Sequence, residues 1–363
     1  MRTETTFVPA PYAAIAPYAP QILAGPMSLK LDANEGPAPP PSLLEAVRDV
    51  GAELLRRYPS ARRLEAVLAE RLEVGAESVV VTAGVDDGLE RAARVALCAG
   101  REAILAVPTF EMLERYVRSS GADVAAITWL EGGLPVDAMI RAATPRTSFV
   151  AVVSPNNPTG LAATAADLAR LSEAAPVALL AVDLAYAEFA DEDLTRAVLA
   201  LPNAVVFRTF SKALGLAGLR VGYAAGPRAL VDLLRAAGHP YAVSSVSLAI
   251  AEARVRGGLD DVARYVERVR GERARLEDLL RRLGASASRS QGNFAFARFA
   301  DARRVHGELG RRGVSVRSFS GTPLISDCLR ITVPGDAAEF ERLTTALEEI
   351  LGGAEREESP DGT

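Results

Sequence analysis

The sequence predicts an α/β fold: a large domain with a mainly parallel sheet sandwiched by helices, followed by a smaller α+β domain. Three observations lead there. From residue 60 onward, short continuous apolar runs alternate with longer helical patterns, as strands buried on both faces of a parallel sheet do. After about residue 243 that alternation gives way to helical periodicity and then to three short strand patterns around helical segments. At 363 residues and 49% hydrophobic, the chain is also long enough to fill two or three domain-sized units around sizeable cores.

Taken in order, the strand candidates of the first part are SVVVTAG (78–84), EAILAVPTF (102–110), TSFVAVVSPNNPTG (147–160), VALLAVDLAY (177–186), AVVFRTFSK (204–212) and LRVGYAAG (219–226). Apolar and β-branched residues dominate them, punctuated by turn-forming Gly and Pro. The stretch 243–284 carries many i, i+4 charge pairs and is expected to form a long connecting helix. NFAFARF, VSVRSF and CLRITV then supply strands of the smaller domain. The expected divisions are four. A segment over 1–35, rich in Pro and Tyr, joins the small domain and the substrate site; a large domain spans 36–243 and a small domain 244–352. A polar tail over 353–363 reads as disordered.

A formal charge of −5 is spread along the chain without a basic block, which excludes nucleic acid as an expected partner. There is no run of about eighteen apolar residues, and the N-terminus lacks the charged-then-apolar order of a signal peptide, so no membrane contact and a cytoplasmic location are expected. Cys98 and Cys328 sit in unrelated contexts and read as two buried apolar thiols of a reducing compartment. His239 and His306 read as surface or hinge positions. No metal centre is expected.

In an open parallel sheet, ligands bind beyond the carboxyl ends of the strands. Here those ends read TAGVDDG, PTF, SPNNPTG, DLAY, RTFSK and GLR. In TAGVDDG, the free amides of Val85 and Asp86 and the dipole of the following helix could cradle a phosphate; taken alone, Asp86 or Asp87 is the ordinary acid of a helix cap. The motif lacks the residues of a Walker A or dinucleotide fingerprint. Asn157 in SPNNPTG, turn chemistry on its own, is held between a buried strand and Pro158, where it can donate to a ligand oxygen. Asp183 closes an apolar strand, and a carboxylate so buried calls for a cationic or protonated partner. Tyr186 faces the same space three residues on.

Lys212 and Lys30 are the only lysines; arginine supplies the rest of the 41 basic residues. A lone surface lysine ordinarily snorkels, but this chain uses arginine for surface charge and has kept lysine at 212. Arginine stays protonated in a protein, whereas a desolvated lysine loses its proton and can form a Schiff base with an aldehyde. Thr209, Ser211 and Arg220 add two hydroxyls and a guanidinium, donors suited to a phosphate dianion. One aldehyde cofactor with a phosphate, a basic ring nitrogen and a phenolic oxygen uses all these groups: pyridoxal 5'-phosphate.

SPNNPTG, D-x-A-Y and RTFSKALGLAGLRVG, in this order and spacing and with LRITV near the C-terminus, resemble the fold-type-I class I/II aminotransferases. The resemblance covers about residues 15–352 and is nearest to the histidinol-phosphate aminotransferase branch. It implies that Lys212 binds the cofactor covalently and then moves the substrate's proton. Asp183 is implied to pair with the protonated ring nitrogen, and Asn157 and Tyr186 to donate to the phenolic oxygen. The amides of Val85 and Asp86, with Thr209, Ser211 and Arg220, are implied to hold the phosphate, and Phe110 to stack on the ring where this branch often has tyrosine. Tyr58 of RRYPS matches a tyrosine that reaches the neighbouring subunit's cofactor phosphate in a homodimer; on its own it reads as a helix-end aromatic packing into its own core. Arg330 matches the arginine that clamps the substrate α-carboxylate, although an arginine in such a strand is otherwise a surface-edge charge. Arg317 and Tyr18 fall where the branch binds the substrate's distal phosphate. LKLDANEGPAPP, with Asn34, resembles the segment that closes over the substrate, with Gly36 in place of the branch's second asparagine.

The activity so implied is ping-pong transfer of an amino group from an L-amino acid or histidinol phosphate to a 2-oxo acid such as 2-oxoglutarate, with a histidinol-phosphate-type substrate favoured. Two alternatives share nearly every cofactor residue: a decarboxylase similar to threonine-phosphate decarboxylase, and an aminotransferase for a specialised amino acid of secondary metabolism. A sensory module of a transcription regulator would need a basic DNA-binding domain ahead of LDANE, where about thirty residues without a basic block stand.

Overall fold

The computed structural model describes residues 27–48 and 51–352, so the expectations for Tyr18 and for a disordered tail at 353–363 lie outside the described residues. In chain order the strands are β1 (Leu29–Leu31), β2 (Val79–Thr82), β3 (Glu102–Val107), β4 (Asp123–Thr128), β5 (Thr147–Val153), β6 (Leu179–Asp183), β7 (Ala204–Thr209), β8 (Gly222–Ala225), β9 (Ser286–Ala287), β10 (Phe294–Arg298), β11 (Val314–Ser318) and β12 (Cys328–Thr332). One sheet runs β2-β8-β7-β6-β5-β3-β4 and a second runs β1-β11-β12-β10-β9. Strands β4, β3, β5, β6 and β7 pair in parallel, and β8 is antiparallel to both of its neighbours. The expected α/β architecture with a mainly parallel sheet is present, with one reversed strand.

Strands β5, β6 and β7 are buried along their whole length. Their successive side chains alternate between two cores: Val150, Val152, Leu180, Val182 and Val206 pack on one face, and Phe149, Ala151, Leu179, Ala181 and Phe207 on the other. A period of two with apolar residues on both faces produces the continuous apolar runs seen in the sequence.

Three expectations are corrected. The long connecting helix is two helices, Ser245–Arg256 and Asp260–Arg282, interrupted at Gly257 and Gly258. Gly258 adopts φ +86, a conformation that costs glycine little and breaks the helical ladder. Strand β4 is absent from the sequence-based elements because it is the sheet edge: its apolar stretch, residues 124–127, is short and half alanine, and none of its six residues is fully buried. Cys98 is exposed, in the turn that follows the helix Gly84–Ala96, whereas Cys328 is buried as expected.

Strand β1 pairs in parallel with β11, and β11 is antiparallel to β12 with Arg317 directly opposite Arg330. Leaving β1, the chain delivers Asp32, Ala33 and Asn34 to the residues at the carboxyl ends of the larger sheet.

Candidate active site

Those carboxyl ends open into a cavity of about 340 Å³, whose lining includes Asn157, Asp183, Lys212, Arg220, Arg317 and Arg330. Val85, Asp86, Phe110, Tyr186, Thr209 and Ser211 also face it. Residues separated by more than two hundred positions in the chain thus meet in one space. Asn34 and Tyr58 are not part of that lining.

At one end, β2 turns through Gly84 into the helix Gly84–Ala96, whose first amides, Val85 and Asp86 among them, lack partners inside the helix. The two aspartates divide the work. Neither is the N-cap, which is Ala83; from the first turn Asp87 Oδ2 accepts from Ala83 N at 2.8 Å, and its carboxylate holds Arg91. Asp86 instead accepts from Arg220 Nη2 at 2.9 Å; burial pushes its carboxyl up, opposed by Arg220 and Lys212. Ser211 N donates to Thr209 Oγ1 at 3.1 Å, the two hydroxyls are 3.0 Å apart, and Arg220 Nη1 reaches Ser211 Oγ at 3.4 Å.

Gly222 lets these pieces approach. A Cβ there would lie 2.7 Å from Gly84 C and 2.9 Å from both Val85 N and Arg208 O, all backbone atoms that cannot swing aside. Gly222→Ala is expected to cost about 1–3 kcal/mol by overpacking, read as a lower urea midpoint with an unchanged m-value.

Lys212 is half-buried in the loop after β7; its Nζ donates to Ala33 O at 3.0 Å and lies 5.6 Å from the centroid of the Tyr186 ring. A Cβ at Gly36 would come within 1.8 Å of Lys212 O, so the glycine that departs from the branch pattern allows the 32–37 segment to lie directly against the lysine loop.

Asp183 ends β6 and is 4% exposed. Burial pushes its pKa up to about 7; Ala185 N, which donates to Oδ1 at 2.9 Å, opposes the rise, Asp86 adds to it and Lys212 opposes it. A carboxylate in that position favours a protonated partner. Across the cavity, Arg330 Nη1 donates to Asn157 Oδ1 and Nη2 to Asp32 O, both at 2.5 Å. Because the Asn157 oxygen is taken, its Nδ2 is the end free to donate. Arg330 Nε is buried without a hydrogen-bond partner among the described residues, and burial depresses the guanidinium pKa. Arg317 Nη2 is held by Glu111 at 3.2 and 3.4 Å.

Several residues that matter here escaped sequence reasoning. Asn156, fully buried, wires the SPNNPTG turn: its Nδ2 donates to Pro108 O and Thr159 Oγ1, and its Oδ1 accepts from Thr109 Oγ1. The doubled asparagine was the available signal, with one member building the turn and the other facing the cavity. Arg208 in β7 pairs with Glu188 at 2.6 Å and Asp193 at 2.9 Å, tying the turn after Tyr186 to the strand that leads to Lys212. Tyr58 is 80% exposed and stacks on Tyr241 with ring centroids 4.4 Å apart, so it does not pack into its own core.

Residues 27–347 match the family model described as aminotransferase class I and II. The chain belongs to the class I and II aminotransferases. This aminotransferase is 35% identical over 338 residues to the histidinol-phosphate aminotransferase of a Ruegeria species, covering 90% of this chain and 91% of the relative. It is 34% identical to histidinol-phosphate aminotransferase 1 of Archaeoglobus fulgidus, covering 89% and 99%. Among solved structures, it resembles histidinol-phosphate aminotransferase from Sinorhizobium meliloti in complex with pyridoxal-5'-phosphate, with a TM-score of 0.82 at 23% identity over 91% of this chain and 92% of that one. It also resembles L-threonine-O-3-phosphate decarboxylase from Porphyromonas gingivalis, with a TM-score of 0.77 at 22% identity over 89% of this chain and 99% of that one. Both structures share the fold with this aminotransferase. Fold alone therefore does not choose between amino transfer and decarboxylation.

Proposed function

We propose that this aminotransferase holds pyridoxal 5'-phosphate at Lys212. It would move the amino group of a histidinol-phosphate-type donor or an L-amino acid to a 2-oxo acid, such as 2-oxoglutarate, in two half-reactions at one site. One observation carries this: the lysine ammonium lies in the same cavity as a buried carboxylate, Asp183, and the donors Thr209, Ser211 and Arg220. These groups fit an aldehyde, a basic nitrogen and a phosphate in turn. When bound, the cofactor supplies the aldehyde and a ring that takes up the electron pair of a broken substrate bond.

Lys212 Nζ would hold the cofactor covalently and would carry the proton taken from and returned to the substrate carbon. Asp183 would hold the proton on the ring nitrogen. Tyr186 and Asn157 Nδ2 would donate to the phenolic oxygen, and Phe110 would cover a ring face. The amides of Val85 and Asp86 and the side chains of Thr209, Ser211 and Arg220 would hold the phosphate. Arg330, which lines the cavity, would receive the substrate's anionic group.

Glu111 competes for Arg317. Glu111→Gln is expected to tighten binding of inorganic phosphate, measured as competitive inhibition, by about three- to tenfold, since removing a nearby like charge from an anion site is worth about 1 kcal/mol; weaker inhibition would contradict an anion-binding role for Arg317.

The active enzyme is further proposed to be a cytoplasmic homodimer that shares its site between subunits. Tyr58, Leu44 and Leu55 are exposed apolar groups that a second copy could cover, and both cysteines are free. Among the described residues no helix is long and apolar enough to cross a membrane. Residues 36–243 and 244–352 are proposed as the large and small domains; the second sheet takes β1 from the segment before them.

The test is a panel of half-reactions. Histidinol phosphate and individual L-amino acids are added to the purified holoenzyme, and the visible absorption of the bound cofactor is expected to convert to that of its amine form without release of CO₂. Failure of every donor, or CO₂ release, would contradict the proposal.

A further inference from the structure

We propose that Asn34 is a positioning residue that fixes the direction of the Tyr186 hydroxyl proton, so that this hydroxyl donates into the cavity. The inference rests on the pyridoxal phosphate assignment above. The sequence placed Asn34 in contact with substrate; instead it is 1% exposed, does not line the cavity, and sits behind Tyr186.

The hydrogen-bond inventory decides which end of the Asn34 amide faces the tyrosine. A threonine hydroxyl has one proton to give and two lone pairs to receive with. Thr332 Oγ1 accepts from Asn34 N at 3.1 Å and gives its single proton to Asn34 Oδ1 at 2.9 Å. With the amide oxygen occupied, Nδ2 is the end that meets the Tyr186 hydroxyl, at 3.0 Å. The reverse orientation would leave the Thr332 proton without an acceptor among these groups and would draw the Tyr186 proton back toward Asn34. In the observed orientation the phenol oxygen receives a proton from Asn34, and its own proton is free to point into the cavity that Tyr186 lines.

The scaffold holding Asn34 is rigid. Its backbone adopts φ +53, its carbonyl accepts from Asn293 Nδ2 at 3.3 Å, and Asn293 and Thr332 are themselves buried. The charged groups facing Tyr186 are Lys212, whose Nζ is 5.6 Å from the ring centroid, and Arg330; Phe294 packs edge-on against the ring. Arg330 has no lone pair to accept a proton from the phenol, and Lys212 Nζ is engaged with Ala33 O. The two preceding residues contact both of them, Asp32 O receiving Arg330 and Ala33 O receiving Lys212. One short segment therefore reaches the group for the substrate anion, the group for the aldehyde and the group for the phenolic oxygen in consecutive residues.

The test uses the holoenzyme and reads the pH midpoint of the bound cofactor's visible absorption. A donor to the phenolic oxygen favours its ionised form, so Tyr186→Phe is expected to raise the midpoint by about one unit. Asn34→Ala should raise it by roughly half a unit or more, and Thr332→Val, which keeps Asn34 but removes the hydroxyl that orients it, should shift it in the same direction. In a Tyr186→Phe background neither substitution should shift it further. If Tyr186→Phe leaves the midpoint unchanged, the assigned role of Tyr186 is wrong and the inference falls with it. If Tyr186→Phe raises it while Asn34→Ala does not, or if Asn34→Ala acts equally in both backgrounds, the inference alone is overturned and the cofactor assignment stands.

Discussion

Lys212→Arg is expected to reduce turnover by about 10⁴-fold, because it keeps the positive charge and removes the one group among the described residues of the cavity able both to bond an aldehyde and to shuttle a proton. Arginine remains protonated at any pH at which the protein is folded. The substitution separates charge from covalent chemistry, which Lys212→Ala does not. The hydrogen bond to Ala33 O can be made by a guanidinium, so the fold should survive, and far-UV circular dichroism and thermal midpoint should stay near those of the parent. Single-turnover kinetics with a saturating amino donor measure the effect. Activity within tenfold of the parent would show that the amine of Lys212 is not the reacting group.

Asp183→Asn is expected to lower kcat by about 10²–10³-fold, the usual effect of removing one preorganised charge partner from a site. It should also invert part of the pH dependence of stability. Burial raises the folded pKa of Asp183 to about 7, above the value near 4 of an unfolded aspartate. Between those values the folded state binds more protons than the unfolded state, so this group's contribution is full below about pH 4 and is lost as pH rises toward 7. The span is on the order of 4 kcal/mol. Cofactor-stripped Asp183→Asn should therefore gain stability relative to the parent as pH rises from 5 to 8, measured as the difference in thermal midpoint. A difference that grows toward acid pH would mean that Asp183 is paired in the folded chain. On the proposed assignment the protonated ring nitrogen would supply that pairing with cofactor bound, and the difference should then shrink.

The parts of the molecule legible in the sequence share a physical property: each is dictated by its near neighbours along the chain. Strands β5, β6 and β7 are buried on both faces, so each appears as a largely apolar run, and the polar residues at or just beyond their ends, Asn157, Asp183 and Thr209, stand out by contrast. Lys212 stands out because arginine fills nearly every other basic position. Where contacts between distant segments decide, the sequence is silent. Strand β4 gains its partner from β3 while half its side chains meet solvent, so its composition carries little strand signal. The Gly257–Gly258 break is two residues within a strongly periodic stretch, too brief to disturb the pattern of its flanks.

The site follows the same division. Asn34 was placed near the substrate by the motif around it, yet its role is set by Thr332 and Tyr186, residues 298 and 152 positions away. The pairing of Glu111 with Arg317 spans 206 positions and has no local signature; Glu111 begins the helix Glu111–Ser119, where an acid is ordinary. Gly36 looked like a departure from a family pattern. Its contact with the Lys212 carbonyl gives the departure a steric reason.

The most direct measurement of the central claim exploits the scarcity of lysine. Reducing the holoenzyme with borohydride and mapping the cofactor-derived mass by peptide mass spectrometry leaves two candidate side chains, Lys212 and Lys30, and Lys30 is an exposed residue of β1. The cofactor mass is expected on the peptide containing Lys212, at close to one per chain. A mass on Lys30, or none on either peptide, would contradict the account.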